Sequence, residues 1–265
     1  MRVTANNLKI FENGDSKSIP VLFVHGFPFD HTMWQKQVDE LSTKYYCITY
    51  DIRGLGESSV GDGQYTIESF VDDISLIIDE LKLEKPVLCG LSMGGYIALR
   101  TVEKMEEKFR GLILCDTKPE ADSNEGKLKR AEGIKKINEA GLNVFVPDFV
   151  KNCFSDHFQT AKLNEYQKII DRSSEFEPLG VKGCLLAMAA RTDTSSYLTK
   201  IKIPVLILCG EKDNLTPITL MKEMANKISN SEFYVVPDSG HLVSIENSEF
   251  VNNKMLSFLS QFDQI

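Results

Sequence analysis

The sequence predicts a mostly parallel α/β sheet of eight strands, flanked by helices and carrying one helical insertion. Three observations predict it. Apolar runs of strand length recur at 21–24, 46–50, 87–89, 111–115, 205–209 and 233–236, continuous rather than alternating, as in strands buried on both faces. Segments with helical spacing lie between them, and strand–helix alternation builds parallel sheets. The interval 119–198 shows helical pattern and no convincing strand.

Each element follows from its residues. Segments 2–5 and 8–11 flank Asn6-Asn7, a turn pair suited to an antiparallel hairpin at one sheet edge. With the six apolar runs they make eight strands. Helical pattern covers 34–41, 66–83 and 220–228. The 66–83 segment places Ile67, Phe70, Val71, Ile74, Ile77, Ile78 and Leu81 on one amphipathic stripe. Within 119–198, Gly141, Pro147 and Pro178 divide a charged stretch, an aromatic-rich one and a small apolar one. So long an interval cannot be a structureless loop in a compact domain. It reads as a helical subdomain inserted after the sixth strand, leaving 1–118 and 199–265 as the core.

A chain of 265 residues, 42% hydrophobic, is long enough for one large core plus such an insertion. Its net charge of −8, with no dense basic cluster, argues against nucleic acid or an anionic membrane as partner. Residues 1–7 lack the apolar core of a signal peptide, and no apolar run approaches membrane-spanning length, so the expected compartment is the cytoplasm. Of six cysteines, Cys47, Cys89, Cys115 and Cys209 fall inside expected strands. No CxxC pair or Cys/His cluster has metal-ligand spacing. They read as small core residues in a reducing compartment, and no metal or cofactor is expected.

The chemistry concentrates in Gly90-Leu91-Ser92-Met93-Gly94, set between the 87–89 strand and a helical segment. A serine at such a strand-to-helix turn is forced into a strained backbone that exposes its hydroxyl. A serine hydroxyl needs a base, and the base an orienting acid. His241 lies in the flexible turn Pro237-Asp238-Ser239-Gly240-His241, after the 233–236 strand, and Asp213 follows the 205–209 strand. All three groups thus sit past the carboxyl ends of strands, where open α/β sheets place their sites. An oxyanion would be met by the backbone N–H groups of Phe27, in His25-Gly26-Phe27-Pro28 after the 21–24 strand, and of Met93.

These motifs resemble the α/β-hydrolase family along the whole chain. The match is carried by His25-Gly26-Phe27-Pro28, Asp51-Ile52-Arg53-Gly54-Leu55-Gly56-Glu57-Ser58, Gly90-Leu91-Ser92-Met93-Gly94-Gly95, Gly210-Glu211-Lys212-Asp213 and Gly240-His241. Within the family the chain is most similar to small soluble carboxylesterases and to the 3-oxoadipate enol-lactonase group. The resemblance implies that the insertion is a cap over the serine turn. Relatives that open epoxides or remove halides carry Asp at the nucleophile position, and Ser92 speaks against both. It also raises a second acid position, Asp116, which some members use.

The expected reaction is hydrolysis of a small carboxylic ester through an acyl-enzyme, with catalytic residues Ser92, Asp213 and His241. Its partner is a small-molecule ester or lactone, and the chain a monomer or homodimer. Phe27, Trp34, Met93, Leu215 and Leu242 are expected to give the pocket an apolar wall. His25 is expected to brace the oxyanion loop, His31 and His157 to lie at the surface or in the cap, and Arg53 to scaffold its turn. Phe145, Phe149, Phe154 and Met188 read as core before pocket. Two alternatives stay open. An enol-lactonase or carbon–carbon bond hydrolase of aromatic breakdown would need a basic pocket residue, for which Arg191, Lys118 and Arg53 are the hints. A low-turnover ligand receptor on the same fold would keep the same residues, and only turnover separates it.

Overall fold

The computed structural model describes residues 2–4 and 6–263. One sheet runs through it, from β1 (Arg2–Val3) and β2 (Lys9–Asn13) through β3 (Pro20–Val24), β4 (Tyr46–Tyr50), β5 (Val87–Leu91) and β6 (Gly111–Cys115) to β7 (Val205–Gly210) and β8 (Ser231–Val236). Its spatial order is β1-β2-β4-β3-β5-β6-β7-β8. Every pairing is parallel except β1–β2 and β2–β4. The edge hairpin is present, with Arg2 opposite Ile10 and Val3 opposite Lys9; Ala5, which the sequence places in its first arm, lies outside the described residues. Strands β3 to β7 are buried at every position, as their uninterrupted apolar runs require.

Helices cover both faces: α1 (Gln35–Leu41), α2 (Ile67–Leu81), α3 (Met93–Met105), then α4 (Asn124–Ala140), α5 (Leu142–Val150), α6 (Asp156–Ala161), α7 (Leu163–Ser174) and α8 (Pro178–Ala189), and finally α9 (Ile218–Lys227), α10 (Val243–Glu246) and α11 (Ser248–Ser260). Helix α2 shows how local signals fix an element. Thr66 caps it through the Ser69 N–H, and the Ser69 hydroxyl accepts the Thr66 N–H in return. Ile67, Phe70, Val71, Ile74, Ile77 and Ile78 are all buried, each worth about 1.5–3 kcal/mol of transfer free energy. Lys82, with φ of +52°, turns the chain out of the helix. The same face buries Asp73, whose carboxylate is paired with Arg53. That pair pins the turn after β4 to α2, as the scaffold reading of Arg53 expects.

Helices α4 to α8 all fall between β6 and β7 in the chain. Helix α5 runs through Pro147, and its Phe145 and Phe149 rings reach the Phe27 ring that follows β3. Arg172 of α7 is ion-paired with the buried Asp30. Among the described residues no helix is long and apolar enough to cross a membrane.

Candidate active site

Strand order reverses around β3: the chain moves outward to β4 on one side and then crosses to β5 on the other. Such a switch point opens a crevice at the carboxyl ends of the strands. Ser92 stands there, between the last residue of β5 and the first of α3. Its φ of +54° and ψ of −115° are costly for a residue with a side chain, by about 1–3 kcal/mol. Surrounding bonds over-determine the turn. The Ser92 N–H donates to the Cys115 carbonyl at 3.0 Å, and the Ser92 carbonyl accepts from the Thr117 hydroxyl at 2.8 Å and the Gly95 N–H at 2.9 Å. Glycine is needed on both sides because backbones touch. A Cβ on Gly90 would stand 2.3 Å from the Gly94 carbonyl oxygen, and one on Gly94 2.1 Å from that of Val24.

The same close approach brings the β3 loop against the serine. A Cβ on Gly26 would lie 3.5 Å from Ser92 Cβ, which sets the Phe27 main chain beside the nucleophile candidate. Met93 opens α3, so its N–H has no intrahelical acceptor. His25 fixes the loop from behind: its Nδ1–H donates to the Gly26 carbonyl and its Nε2 accepts the Ile52 N–H, both at 2.9 Å. Burial holds the imidazole below its ordinary pKa, against the pull of Asp51. A neutral ring of fixed tautomer is a brace rather than a base, as expected from sequence.

Across the crevice, His241 Nδ1 lies 2.8 Å from Asp213 Oδ2. Asp213 also accepts from the N–H groups of Leu215 and Thr216 at 2.8 and 3.1 Å and from the Thr216 hydroxyl. Burial raises this carboxyl, but the charge and hydrogen bond of His241 and the Thr216 bonds outweigh burial together and bring it down to about 2. An ionised Asp213 fixes the proton on Nδ1 and leaves the Nε2 lone pair to act. Asp116, the second acid position, is turned elsewhere. Its oxygens accept the Gly210 N–H at 2.8 Å and the Val243 N–H at 3.3 Å. Burial, reinforced by the Asp213 charge, pushes its carboxyl well above the ordinary range.

Ser92 and His241 line one cavity of about 420 Å³ together with Phe27, Tyr96, Lys118, Leu215 and, from the inserted helices, Phe145, Phe149, Leu185 and Met188. A residue match to the alpha/beta hydrolase fold extends from 19 to 248. The chain belongs to the α/β-hydrolase family. It is 32% identical over 242 residues to 3-oxoadipate enol-lactonase 1 of Acinetobacter baylyi, spanning 91% of this chain and 89% of that one. A thermophilic esterase from Thermogutta terrifontis, solved with malate bound, superposes with a TM-score of 0.92 at 35% identity, over 96% of this chain and 93% of its own. The enol-lactonase from Burkholderia xenovorans LB400 superposes with a TM-score of 0.89 over 96% of both chains, at 24% identity, a likeness of fold alone.

In this α/β-hydrolase the sequence-expected wall is placed only in part. Phe27 and Leu215 line the cavity, but Trp34 does not. Its indole is fully buried against Phe23, with ring centroids 5.2 Å apart, because the turn before α1 folds back onto the sheet. Leu242 and the Met93 side chain are likewise fully buried and do not line the cavity. Conversely Phe145, Phe149 and Met188 line it, whereas Phe154 stacks on Phe158. Tyr96 and Leu185 were not singled out; Tyr96 could have been, since it lies one helical turn beyond Ser92 on α3.

Of the three basic hints only Lys118 lines the cavity. Arg191 is paired with Asp122 at 2.7 Å and lies over the Tyr96 ring; Arg53 is paired with Asp73. Among the described residues Lys118 has no carboxylate within ion-pairing distance, and burial, then the charge of Arg191, lowers its pKa. His157 is exposed on α6, but His31 is not the surface residue expected. It stacks on Phe11 at 3.6 Å and donates to Asp51 at 2.7 Å. Asp30, His31 and Asp51 hold possible metal-ligand atoms within 4.8 Å of one another. Each carboxylate is already occupied by protein donors, Asp51 by the His31 ring, its N–H and the Glu57 N–H, Asp30 by Thr32 and Arg172. The group therefore works as a hydrogen-bonded hub.

Proposed function

We propose that this α/β-hydrolase cleaves small carboxylic esters through an acyl-enzyme. The observation that carries the reading is that a serine on a strained turn and a histidine whose Nδ1 is bonded to an ionised carboxylate line the same cavity. Ser92 Oγ attacks the ester carbonyl while His241 Nε2 takes its proton. The Phe27 and Met93 N–H groups receive the developing oxyanion, a contribution of about 3 kcal/mol per donor. His241 returns the proton to the leaving alkoxide, and the acyl group stays on Ser92. Water then attacks with His241 again as base, releasing the acid and restoring the serine. Asp213 holds the imidazole tautomer throughout. The inserted helices serve as a cap, and their aromatic rings favour an uncharged acyl group of short or medium length. Six buried cysteines, all free thiols, support a cytoplasmic setting.

A second reading, a lactone bearing a carboxylate, is favoured by Lys118, a half-buried ammonium lining the cavity that among the described residues has no carboxylate in ion-pairing contact, Asp122 and Glu120 acting on it only at longer range. The relative named as an enol-lactonase fits it. Hydrolysis of a chain-length series of p-nitrophenyl esters, run beside lactones with and without a carboxylate, tests both. Turnover of neutral esters with an optimum at short or medium chains supports the first. A preference of tenfold or more for the anionic lactone supports the second, and no turnover of either class overturns both.

A further inference from the structure

Below the base, the loop that carries His241 is bound to the inserted helices rather than to the sheet alone. Its His241 N–H donates to the Cys153 carbonyl at 2.9 Å. The residue before it, Gly240, passes so close that a Cβ there would stand 2.7 Å from the Ser155 nitrogen. Between the two segments lies one half-buried carboxylate. Glu246, the last residue of α10, accepts the Gly240 N–H on Oε1 at 2.9 Å. Its Oε2 accepts the Ser155 N–H at 3.0 Å and the Ser155 hydroxyl at 2.5 Å. Ser155 in turn caps α6 by accepting the Phe158 N–H. One oxygen therefore serves the base loop and the other the cap.

We propose that Glu246 is a positioning residue that couples the docking of the cap to the placement of His241. The proposal rests on the triad reading above. The division of labour between the two oxygens is what makes the coupling. A carboxylate offers acceptors on both sides, so the Gly240 and Ser155 amides can be held at once. A carboxamide of the same shape offers one acceptor and one donor and must abandon one segment. Burial raises the Glu246 carboxyl above its ordinary value, and the Ser155, Gly240 and Leu242 donors offset that rise only in part; the coupling rests on the geometry of the two oxygens. When the cap lifts at Ser155, the Cys153 carbonyl leaves with it and the His241 main chain loses its acceptor. The imidazole keeps its Asp213 and Thr216 contacts on Nδ1 but loses the main-chain anchor of its loop, and a small displacement of a general base is costly in rate.

The test compares the full-length wild type with Glu246→Gln, Ser155→Ala, the double variant and His241→Ala, using p-nitrophenyl acetate. Glu246→Gln is expected to lower kcat about tenfold with KM within about twofold, the signature of a group that acts in the transition state. Ser155→Ala is expected to cost about threefold, and the double variant no more than Glu246→Gln alone, because both cut one link. By NMR, the His241 ring N–H proton should exchange faster with water in Glu246→Gln. A purely structural clamp would lower Tm and leave kcat and that exchange rate unchanged. If Glu246→Gln keeps kcat within twofold while His241→Ala abolishes turnover, the coupling is overturned and the triad reading stands. If His241→Ala itself retains turnover, the triad reading falls and this proposal with it.

Discussion

Asp116 and Asp213 follow neighbouring strands, and after burial itself the charge of Asp213 is the strongest influence raising the Asp116 carboxyl above its ordinary range. The two acids thus divide one region of the site: Asp213 is ionised and bonded to His241, Asp116 is bonded to main-chain N–H groups. Asp213→Asn should therefore lower kcat on a p-nitrophenyl ester by about 10³- to 10⁴-fold, because the wrong tautomer leaves Nε2 protonated. Asp116→Asn should cost less than about tenfold. The reverse ranking would move the acid to β6.

Ser92→Ala should reduce ester turnover by about 10⁴-fold or more with the fold intact. Retention of more than a tenth of wild-type activity in the purified variant would sink the mechanism. Ser92→Gly should be equally inactive yet raise stability by about 1 kcal/mol in urea unfolding, since glycine adopts this backbone without strain.

Asp213 also predicts an acid limb of stability. Its folded pKa of about 2 lies below the ordinary aspartate value, so its contribution is complete above about pH 4 and is lost as pH falls toward 2. The amount is about 2 kcal/mol. Urea midpoints between pH 5 and pH 2 should fall more steeply in the wild type than in Asp213→Asn, and equal slopes would contradict the assignment.

Lys118→Met should raise KM about tenfold for a carboxylate-bearing lactone and leave KM for a neutral ester within about twofold. An equal change for both substrates would remove the argument for an anionic substrate.

Phe149→Ala should enlarge the cavity where its ring meets Phe27. The preferred acyl chain should lengthen by a few carbons, with kcat on the acetate ester within about threefold. An unchanged chain-length profile would count against the cap's role in selecting substrate.

How much of this was legible beforehand depends on where each signal resides. Ser92, Asp213 and His241 each come within five residues of the end of an apolar run, so the strand pattern points them to the carboxyl ends of the strands. Gly90 answers a local contact with the Gly94 backbone, whereas Gly94 answers a distant one with the Val24 carbonyl on the neighbouring strand. The cavity wall is different in kind. Trp34 and Leu242 sit close to site residues in the chain, but their side-chain directions are set by packing against the sheet. Phe145, Phe149 and Met188 reach the cavity through the docking angle of the inserted helices, which no periodicity records. Glu246 was silent for the same reason, since its partner Ser155 lies 91 residues away.

The insertion leaves the sheet after β6 and returns to it at β7, and these two strands are hydrogen-bonded neighbours, with Leu112 opposite Val205. The strands are parallel, so it is not the ladder that brings the ends of the insertion together but the Thr194 N–H, which donates to the Pro119 carbonyl at 2.9 Å. A segment so closed can be lengthened, shortened or exchanged at little entropic cost to the scaffold, since strand register and the serine turn lie outside it. The chemistry and the choice of substrate are in this way written on separable stretches of chain. A graft of another family member's helices between the same two strands would be the natural way to give this serine a new repertoire, provided the graft brings its own partner for Glu246.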